Sequence, residues 1–423
     1  FDPASSERPK VPRGYQAMLK HVYAEYFKQA LIKEKLENKK WHTYVEVEKS
    51  SIPKGTRLLK PVTAYDIKYN ERGEIEKFKS RVCLDGSRTT VDPHETYESI
   101  ASTSTIRMLL CLAARFGLGV AQTDVKNFFL QAKLPKGKEY YAEIPEGWAE
   151  GDPDKMCAKV LAPWYGLKES AKLVGDQLAV IMRKAGMVEN RWMPKVFTKW
   201  QGDDVVICAT HIDDGVWIYS NKKMLEDTLD EIDKSFEMTR NMNPSKVLGL
   251  EINYDQVKGI MKLHQESYNN AKAMEEGVKC GKQTTSPGYI PNKIPNPEVK
   301  ANVEPATKQS IRNFQRKVGI HMWGLQTDPS AMFVVHRLAS KMLNPQKEDW
   351  EGMGRLEKYK ATYPAMGIVF RRAKDKQKFK RGANLDCLTY FADADLAGDK
   401  TSAKSTSGWC NGNTNMRLAM SIN

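Results

Sequence analysis

The sequence predicts an α+β, multidomain fold, on three observations. The chain has 423 residues, room for two to four domains at about 100 to 200 residues each. Helical stripes and short strand-and-turn patterns are mixed along it, with no internal repeat of solenoid period. Hydrophobic residues make up 41% and aromatic residues 9%, enough to bury cores, while 28% charged residues and a mean hydropathy of −0.57 argue against a membrane protein.

The elements follow in chain order. Residues 1–15 are rich in Pro, Ser and charge, and helix formers with apolar positions at three and four spacing begin at Gln16 and run to Asn38. Two apolar runs between Lys60 and Leu84 flank Asn70-Glu71-Arg72-Gly73-Glu74, which predicts strand, turn and strand in a basic two-stranded flap. Ser102 to Ser104 offer N-caps, Ile106, Leu109, Leu110 and Ala113 form a stripe and Gly117 supplies a stop, predicting a helix from about 105 to 116. Gly119 to Thr123 has strand character and leads into Asp124, and Val205 to Tyr219 reads as a hairpin with His211-Ile212-Asp213-Asp214-Gly215 at its tip. Residues 282–305 hold five prolines and read as a boundary or extended connection. Helical patterns resume near Gln309 and run to about Met366, and Asp386 to Phe391 reads as a strand that delivers Asp393. Trp192, Trp200, Trp323 and Trp350 sit in apolar patterns and read as core.

Lys plus Arg is 66 against 52 Asp plus Glu, a net charge of +14, which favours a polyanionic partner, nucleic acid before an anionic membrane. No amphipathic basic helix with a Trp/Phe face supports membrane adhesion. No apolar run approaches a membrane span, and the polar start FDPASSERPKVPRGYQ has no signal-peptide core. Seven scattered cysteines without a C-x-x-C pair read as reduced thiols of an intracellular protein. The first residue is Phe, and the last segment stops without a cap or polar tail, so the chain reads as a piece of something longer.

An Asp-Asp-Gly hairpin tip has an ordinary reading as solvated turn acids. Two carboxylates forced into one turn also repel, and a divalent cation with hard oxygen ligands relieves them. Asp124, about 90 positions earlier at the end of a strand, is the candidate third acid if its strand lies beside the hairpin. Three such acids holding two Mg²⁺ about 4 Å apart perform in-line nucleotidyl transfer without general acid-base side chains.

The run STIRMLLCLAARFGLGVAQTDVKNFFLQAKLPKGKEYYAEIPEGW from Ser104 to Trp148 resembles the palm of copia-type LTR-retrotransposon reverse transcriptases. Tyr165-Gly166-Leu167-Lys168, HIDD, Leu248-Gly249-Leu250-Glu251-Ile252, Phe391 to Gly398 and Ser405-Thr406-Ser407-Gly408 follow in the family's order. The resemblance covers about residues 25–423 and implies a right-hand polymerase with fingers, palm, thumb, connection and a partial RNase H-like α/β domain. It implies an N-terminal extension and helix over 1–40, fingers and palm over 41–240, primer grip and thumb over 241–300, a connection-like helical region over 301–383, and a partial RNase H-like domain over 384–423.

The resemblance further implies that Asp124, Asp213 and Asp214, with Val125, hold Mg²⁺, Mn²⁺ being the alternative. Phe129 resembles the aromatic gate beneath the incoming sugar, which excludes a 2′-hydroxyl, with packing beside Phe128 as the plain alternative. Arg81 resembles the fingers arginine on the triphosphate, with a solvated strand charge as its alternative. Lys68, Phe128, Gly166, Lys168 and Glu169 complete the expected nucleotide contacts. His211, Leu248 and Gly249 are the expected primer contacts, although an ordinary bulge explains Gly249 as well. The chain departs from the family pattern at His211, at Glu169 with Ala171-Lys172, at Phe128, and at Asp66, where a lysine is expected and Lys68 lies one strand repeat away. An acid at Glu169 would sit near a triphosphate unless Lys168 or Lys172 pairs with it.

Asp393 matches the first RNase H acid, but the next lies in a Thr-Glu-Ala-Glu motif that this chain does not reach, so no RNase H activity is expected of the chain as given. The implied partners are an RNA template, a DNA or tRNA primer, an RNA-DNA hybrid, dNTPs and the integrase of the same polyprotein, working in cytoplasmic virus-like particles with delivery of product to the nucleus. The competing reading is a host-adopted, non-catalytic nucleic-acid-binding scaffold of the same fold. Basic tracts such as Arg371 to Lys378 and Lys380-Arg381 could track a duplex or serve as solvated loops.

Overall fold

The structure, a computed structural model, describes residues 9–69, 74–278, 284–288, 305–372, 379, 389–394, 407–413 and 416–422. Its centre is a six-stranded antiparallel sheet in the order Met238–Asn241, Gly119–Val125, Asp214–Tyr219, Asp204–His211, Val196–Gln201, Val188–Glu189. Its inner strands are apolar on both faces, because both are covered. Val120, Val205, Ile207, Val216 and Ile218 point to one side, where the helix Thr103–Phe116 packs through Ile106, Leu110 and Ala113. Ala121, Val206, Cys208 and Trp217 point to the other, against the helices Ser170–Lys184 and Lys222–Asp233 through Val174, Leu178, Leu225 and Leu229. Each fully buried Val, Ile or Leu contributes roughly 1.5–3 kcal/mol, so this sandwich fixes the register of the strands that carry the acids.

The Thr103–Phe116 helix begins where Ser102 accepts from the Thr105 amide and ends at Gly117 with φ 69°, as the stripe and caps predict. The expected flap is also present. Pro61–Tyr69 pairs with Ile75–Leu84, and its apolar face, with Tyr65, Ile67 and Phe78, packs on Phe27 of the helix Ala24–Lys40. A three-stranded sheet of Tyr44–Glu48, Met156–Val160 and Tyr140–Ala142 encloses Trp148 and Trp164 beside it.

Beyond the central sheet, Lys246–Val247, Leu250–Asp255, Ile260–His264 and Gly367–Arg371 form a four-stranded sheet. Its Val247, Ile252, Met261, Leu263, Ile368 and Phe370 share the core of the Thr103–Phe116 helix. The sheet therefore spans the boundary expected at 300/301, since its last strand comes from after the helices. Those helices, Lys308–Gly324, Met332–Ala339 and Lys347–Thr362, close over Phe314, Val318, Val335, Leu338, Met353 and Leu356. Within them Lys360 and Asp328, 4% and 1% exposed, form an ion pair at 2.7 Å. Thr389–Ala394, Ser407–Asn413 and Met416–Ile422 make a separate three-stranded sheet in which Asp393 stands opposite Gly408. Most of the connection expected at 282–305 and the basic tract beyond Arg372 lie outside the described residues.

Two of the four tryptophans read as core are not. Trp192 is 82% exposed and Trp323 43% exposed, whereas Trp350 packs on Phe314 and Trp200 stacks on Phe379. Among the described residues no helix is long and apolar enough to cross a membrane.

Candidate active site

Asp124 is the penultimate residue of its strand and Asp214 the first of the next, and the register places them directly opposite each other. The hairpin joining Asp204–His211 to Asp214–Tyr219 has the two-residue turn Ile212-Asp213, with Ile212 at φ 61°. Left-handed backbone at a β-branched residue is a strained conformation that surrounding structure must hold. Here the Asp213 carbonyl accepts from the Val125 amide at 2.9 Å, which pins the turn to the end of the Asp124 strand. Three acidic residues thus lie close together where two neighbouring inner strands of the sheet end.

The Asp124 and Asp214 carboxyls are held above the ordinary carboxylate range. For Asp124, partial burial is the largest cause and Asp213 adds to it, while Lys79 opposes. For Asp214, burial again leads, Gln122 opposes by donating to Oδ1 at 3.1 Å, and Asp213 and Asp124 push upward. Among the described residues no three His, Cys, Asp or Glu side chains converge, as they stand, on a metal-holding geometry. Directly opposed strand residues have Cβ atoms about 4.5–5.5 Å apart, so rotation about side-chain bonds suffices to bring Asp124 and Asp214 to a shared cation.

The open face of the flap carries Asp66 and Lys68 on one strand and Lys77, Lys79 and Arg81 on the other, with Lys68 opposite Lys77 and Asp66 opposite Lys79. Lys68 pairs with Asp66 at 2.8 Å, so the lysine expected to replace the cation missing at 66 is tied to that acid. The cation that faces Asp124 is Lys79, its ammonium pKa lowered by partial burial first and then by Arg81, Lys77 and Lys68. The sequence motif points to Arg81 alone, and the period-two spacing of Lys79 with Arg81 is the signal that places both on one face.

Arg81 lies over the Tyr165 ring at 5.2 Å, and that ring is 4.8 Å from Phe129. Burial pushes the Tyr165 hydroxyl up to about 12. Gly166 has φ 94°, and a Cβ there would stand 2.1 Å from the Leu84 carbonyl oxygen. The Tyr165 carbonyl meanwhile accepts from the Leu84 amide at 2.8 Å, so only glycine lets this loop lie against the flap.

Two of the expected nucleotide contacts, Glu169 and Phe128, lie buried instead. Glu169 is fully buried, accepts from the Tyr140 hydroxyl and lies 4.0 Å from Lys138, so it cannot reach a triphosphate. Neither lysine proposed to neutralise it does so: Lys168 donates to the Thr89 carbonyl at 2.7 Å and Lys172 pairs with Asp176. Phe128, 3% exposed, packs on Phe236 in the core. The His211 ring lies 3.2 Å from the Ala101 carbonyl. Leu248 and Gly249, at φ 47° and 80°, form the two-residue turn of a hairpin with the positive φ pair a type I′ turn requires, and Gly249 lies against Trp323.

Residues 42–287, more than half of the chain, match the family described as reverse transcriptase (RNA-dependent DNA polymerase). The chain belongs to that family. It is a copia-type LTR-retrotransposon member. It is 25% identical over 414 residues to the Retrovirus-related Pol polyprotein from transposon TNT 1-94 of Nicotiana tabacum, covering 94% of this chain and 29% of that protein. It is 26% identical over 345 residues to the corresponding polyprotein from transposon RE1 of Arabidopsis thaliana, covering 81% and 22%. The chain thus spans less than a third of the length of these curated relatives. A solved structure of the foamy viral protease-reverse transcriptase in complex with double-stranded DNA aligns at TM-score 0.48 and 11% identity, over 100% of this chain and 59% of that one.

Proposed function

We propose that this member of the reverse transcriptase family is an RNA- and DNA-directed DNA polymerase that transfers a nucleotide from a dNTP to a primer 3′-hydroxyl. The observation that carries the reading is the register pairing of Asp124 with Asp214 beside Asp213. The three all-oxygen side chains, two of them with carboxyl pKa values pushed up by burial and by one another, fit a hard divalent cation, Mg²⁺ or Mn²⁺. When bound, such ions supply activation of the primer hydroxyl and neutralisation of charge on the departing pyrophosphate.

The protein's own groups do the rest. Asp124, Asp213 and Asp214, with the Val125 main chain, hold the ions. Arg81 and Lys79 on the flap bind triphosphate oxygens, the guanidinium in a planar fork and the ammonium as a point charge. Phe129, backed by Tyr165, sits beneath the sugar and excludes a 2′-hydroxyl. The Leu248-Gly249 turn supports the primer end, and His211 packs beneath it. In this reading the flap belongs to the fingers, the six-stranded sheet to the palm, and the helices Glu266–Glu275, Lys308–Gly324, Met332–Ala339 and Lys347–Thr362 to the thumb and connection. The partners are an RNA template, a DNA or tRNA primer, and the integrase of the same polyprotein.

The test is primer extension on an RNA template with dNTPs and Mg²⁺ or Mn²⁺, beside an Asp213→Asn, Asp214→Asn variant. Extension by the parent and none by the variant is expected. Tight binding of primer-template with no extension in either metal would instead make the chain a binding scaffold.

A further inference from the structure

We propose that the helix Ala24–Lys40 is part of the nucleotide site, with Glu34 and Glu37 acting as positioning residues for Arg81 and for the turn that carries Phe129. The helix lies outside the segment 42–287 that matches the family, and the proposal rests on the polymerase reading above.

Glu34 and Glu37 are one helical turn apart and share a face. The Glu37 Oε2 accepts from the Asn127 side-chain amide at 2.9 Å. Asn127 is the residue before the short helix Phe128–Gln131, at φ 47°, and its side chain makes no cap to that helix. An Asn at this position ordinarily turns inward to cap the helix it precedes; here it turns outward to Glu37. Both the left-handed backbone and the direction of the following Phe129 are thereby tied to the Ala24–Lys40 helix. The same helix reaches the far side of this turn through Lys40, which pairs at 2.7 Å with Glu237, itself paired with Lys126.

Glu34 does the corresponding work on the flap. It lies beneath the strand bearing Arg81, where the Val82 amide donates to its carboxylate, and its Oε1 is buried without a partner. Arg81 is within Coulombic range but forms no direct ion pair with it among the described contacts, its guanidinium lying over Tyr165. A carboxylate with a buried oxygen, close enough to act on both the guanidinium and the Tyr165 ring beneath it, draws that cation towards the ring by attraction and leaves its fork free for phosphate oxygens. The charged and titratable groups that face Glu34 are Arg81 and Glu37, with Cys83 and Tyr165 next to them. Burial, the largest cause, pushes the Glu34 carboxyl up to about 7, so its hold on Arg81 strengthens as pH rises through neutrality.

The test is steady-state primer extension with the full chain, varying dNTP at about pH 6 to 8, for the parent, Glu34→Gln, Glu34→Asp, Glu37→Ala and, as a control on the exposed side of the helix, Lys33→Gln. Melting temperature and primer-template affinity are measured in parallel. In the parent the KM for dNTP falls as pH rises. Glu34→Gln loses that dependence and raises KM at the alkaline end roughly tenfold, with kcat and primer-template affinity unchanged. Glu34→Asp restores part of the effect. Glu37→Ala lowers the preference for deoxyribonucleotides over ribonucleotides roughly tenfold. Lys33→Gln matches the parent throughout. Parent-like KM, pH profile and sugar preference in the Glu34 and Glu37 variants overturn the proposal, as does a loss of activity that only follows melting temperature. A parent that extends no primer overturns the polymerase reading and this proposal with it, whereas a parent that extends beside unresponsive variants overturns this proposal alone.

Discussion

Asp124 and Asp214 are direct partners in an antiparallel ladder, although 89 intervening residues separate them in sequence. The strand of one ends where the strand of the other begins, and the Asp213 carbonyl is bonded to the Val125 amide. The turn thus adds a third acid at the same end of these two inner strands. Acids in this arrangement burden the folded chain unless a cation offsets them.

Removing one of the charges should therefore separate stability from activity. Asp214→Asn should melt above the parent in a chelating buffer, because it relieves repulsion with Asp124 and Asp213. Addition of Mg²⁺ should raise the melting temperature of the parent and leave the variant unmoved. Differential scanning fluorimetry with and without the ion checks both, and equal Mg²⁺ shifts for parent and variant would remove these acids as ligands.

Ile212 should show the same opposition in backbone form. Its φ of 61° in an exposed turn is a conformation that Asn adopts more readily. Ile212→Asn should stabilise the chain by about 1 kcal/mol in urea unfolding while lowering extension, since it relaxes the turn that sets Asp213. A variant both less stable and fully active would show that the strain has no functional role.

At Gly166 strain and packing act together. An alanine there meets both φ 94° and the Leu84 carbonyl, so Gly166→Ala should cost about 1–3 kcal/mol and raise the KM for dNTP by separating the loop from the flap. Unchanged urea midpoints would mean that the loop shifts freely.

Locally coded features were legible in the sequence. Ser102 and Gly117 bracket the Thr103–Phe116 helix, the two apolar runs between Lys60 and Leu84 announce the paired strands of the flap, and the Asp-Asp-Gly tip announces the hairpin. Each depends on residues a few positions apart. What sequence could not disclose depends on pairing over long separations. Gly367–Arg371 completes a sheet begun at Lys246, and nothing in GIVFR names its partner. The family motif sets Glu169 in the loop beside the triphosphate unless Lys168 or Lys172 pairs with it, yet its hydrogen-bond donor is Tyr140, 29 positions away. Apolar neighbours place Trp192 and Trp323 in a core, but the strand and helix faces that cover a side chain are decided by what packs above it.

The ion pair of Lys360 with Asp328 is nearly sealed from solvent, and Asp328 also accepts from the Ser330 amide and hydroxyl. Asp328→Ala leaves a buried ammonium uncompensated and should cost about 3–5 kcal/mol, whereas Lys360→Met should cost less because Asp328 keeps its Ser330 donors. Chemical denaturation of both variants orders the two costs, and the reverse order would refute the argument.

His321, buried on the Lys308–Gly324 helix, should make this helical region acid-labile. Burial, the largest cause, and then Lys360 and Lys317 push its imidazole down from 6.5 to about 4. Between those values the unfolded chain binds the proton and the folded chain does not, so stability is full above about pH 6.5 and is lost as pH falls towards 4, by at most about 3 kcal/mol. Other groups titrate differently in the folded chain and must be separated from it, Glu276 and Glu34 among them. Glu276, held down to about 2 by Arg316 first and also by Lys317, loses its contribution only below the ordinary carboxylate range. Glu34, raised to about 7 by burial, acts in the same window with the opposite sign, its contribution present at low pH and lost as pH rises through 7. The parent's pH profile alone is therefore a sum, and the difference between parent and His321→Gln isolates the imidazole. Urea unfolding of both at about pH 5 and pH 7.5 should show the parent losing more stability than the variant on acidification. Equal losses would mean that His321 takes up its proton without disturbing the fold.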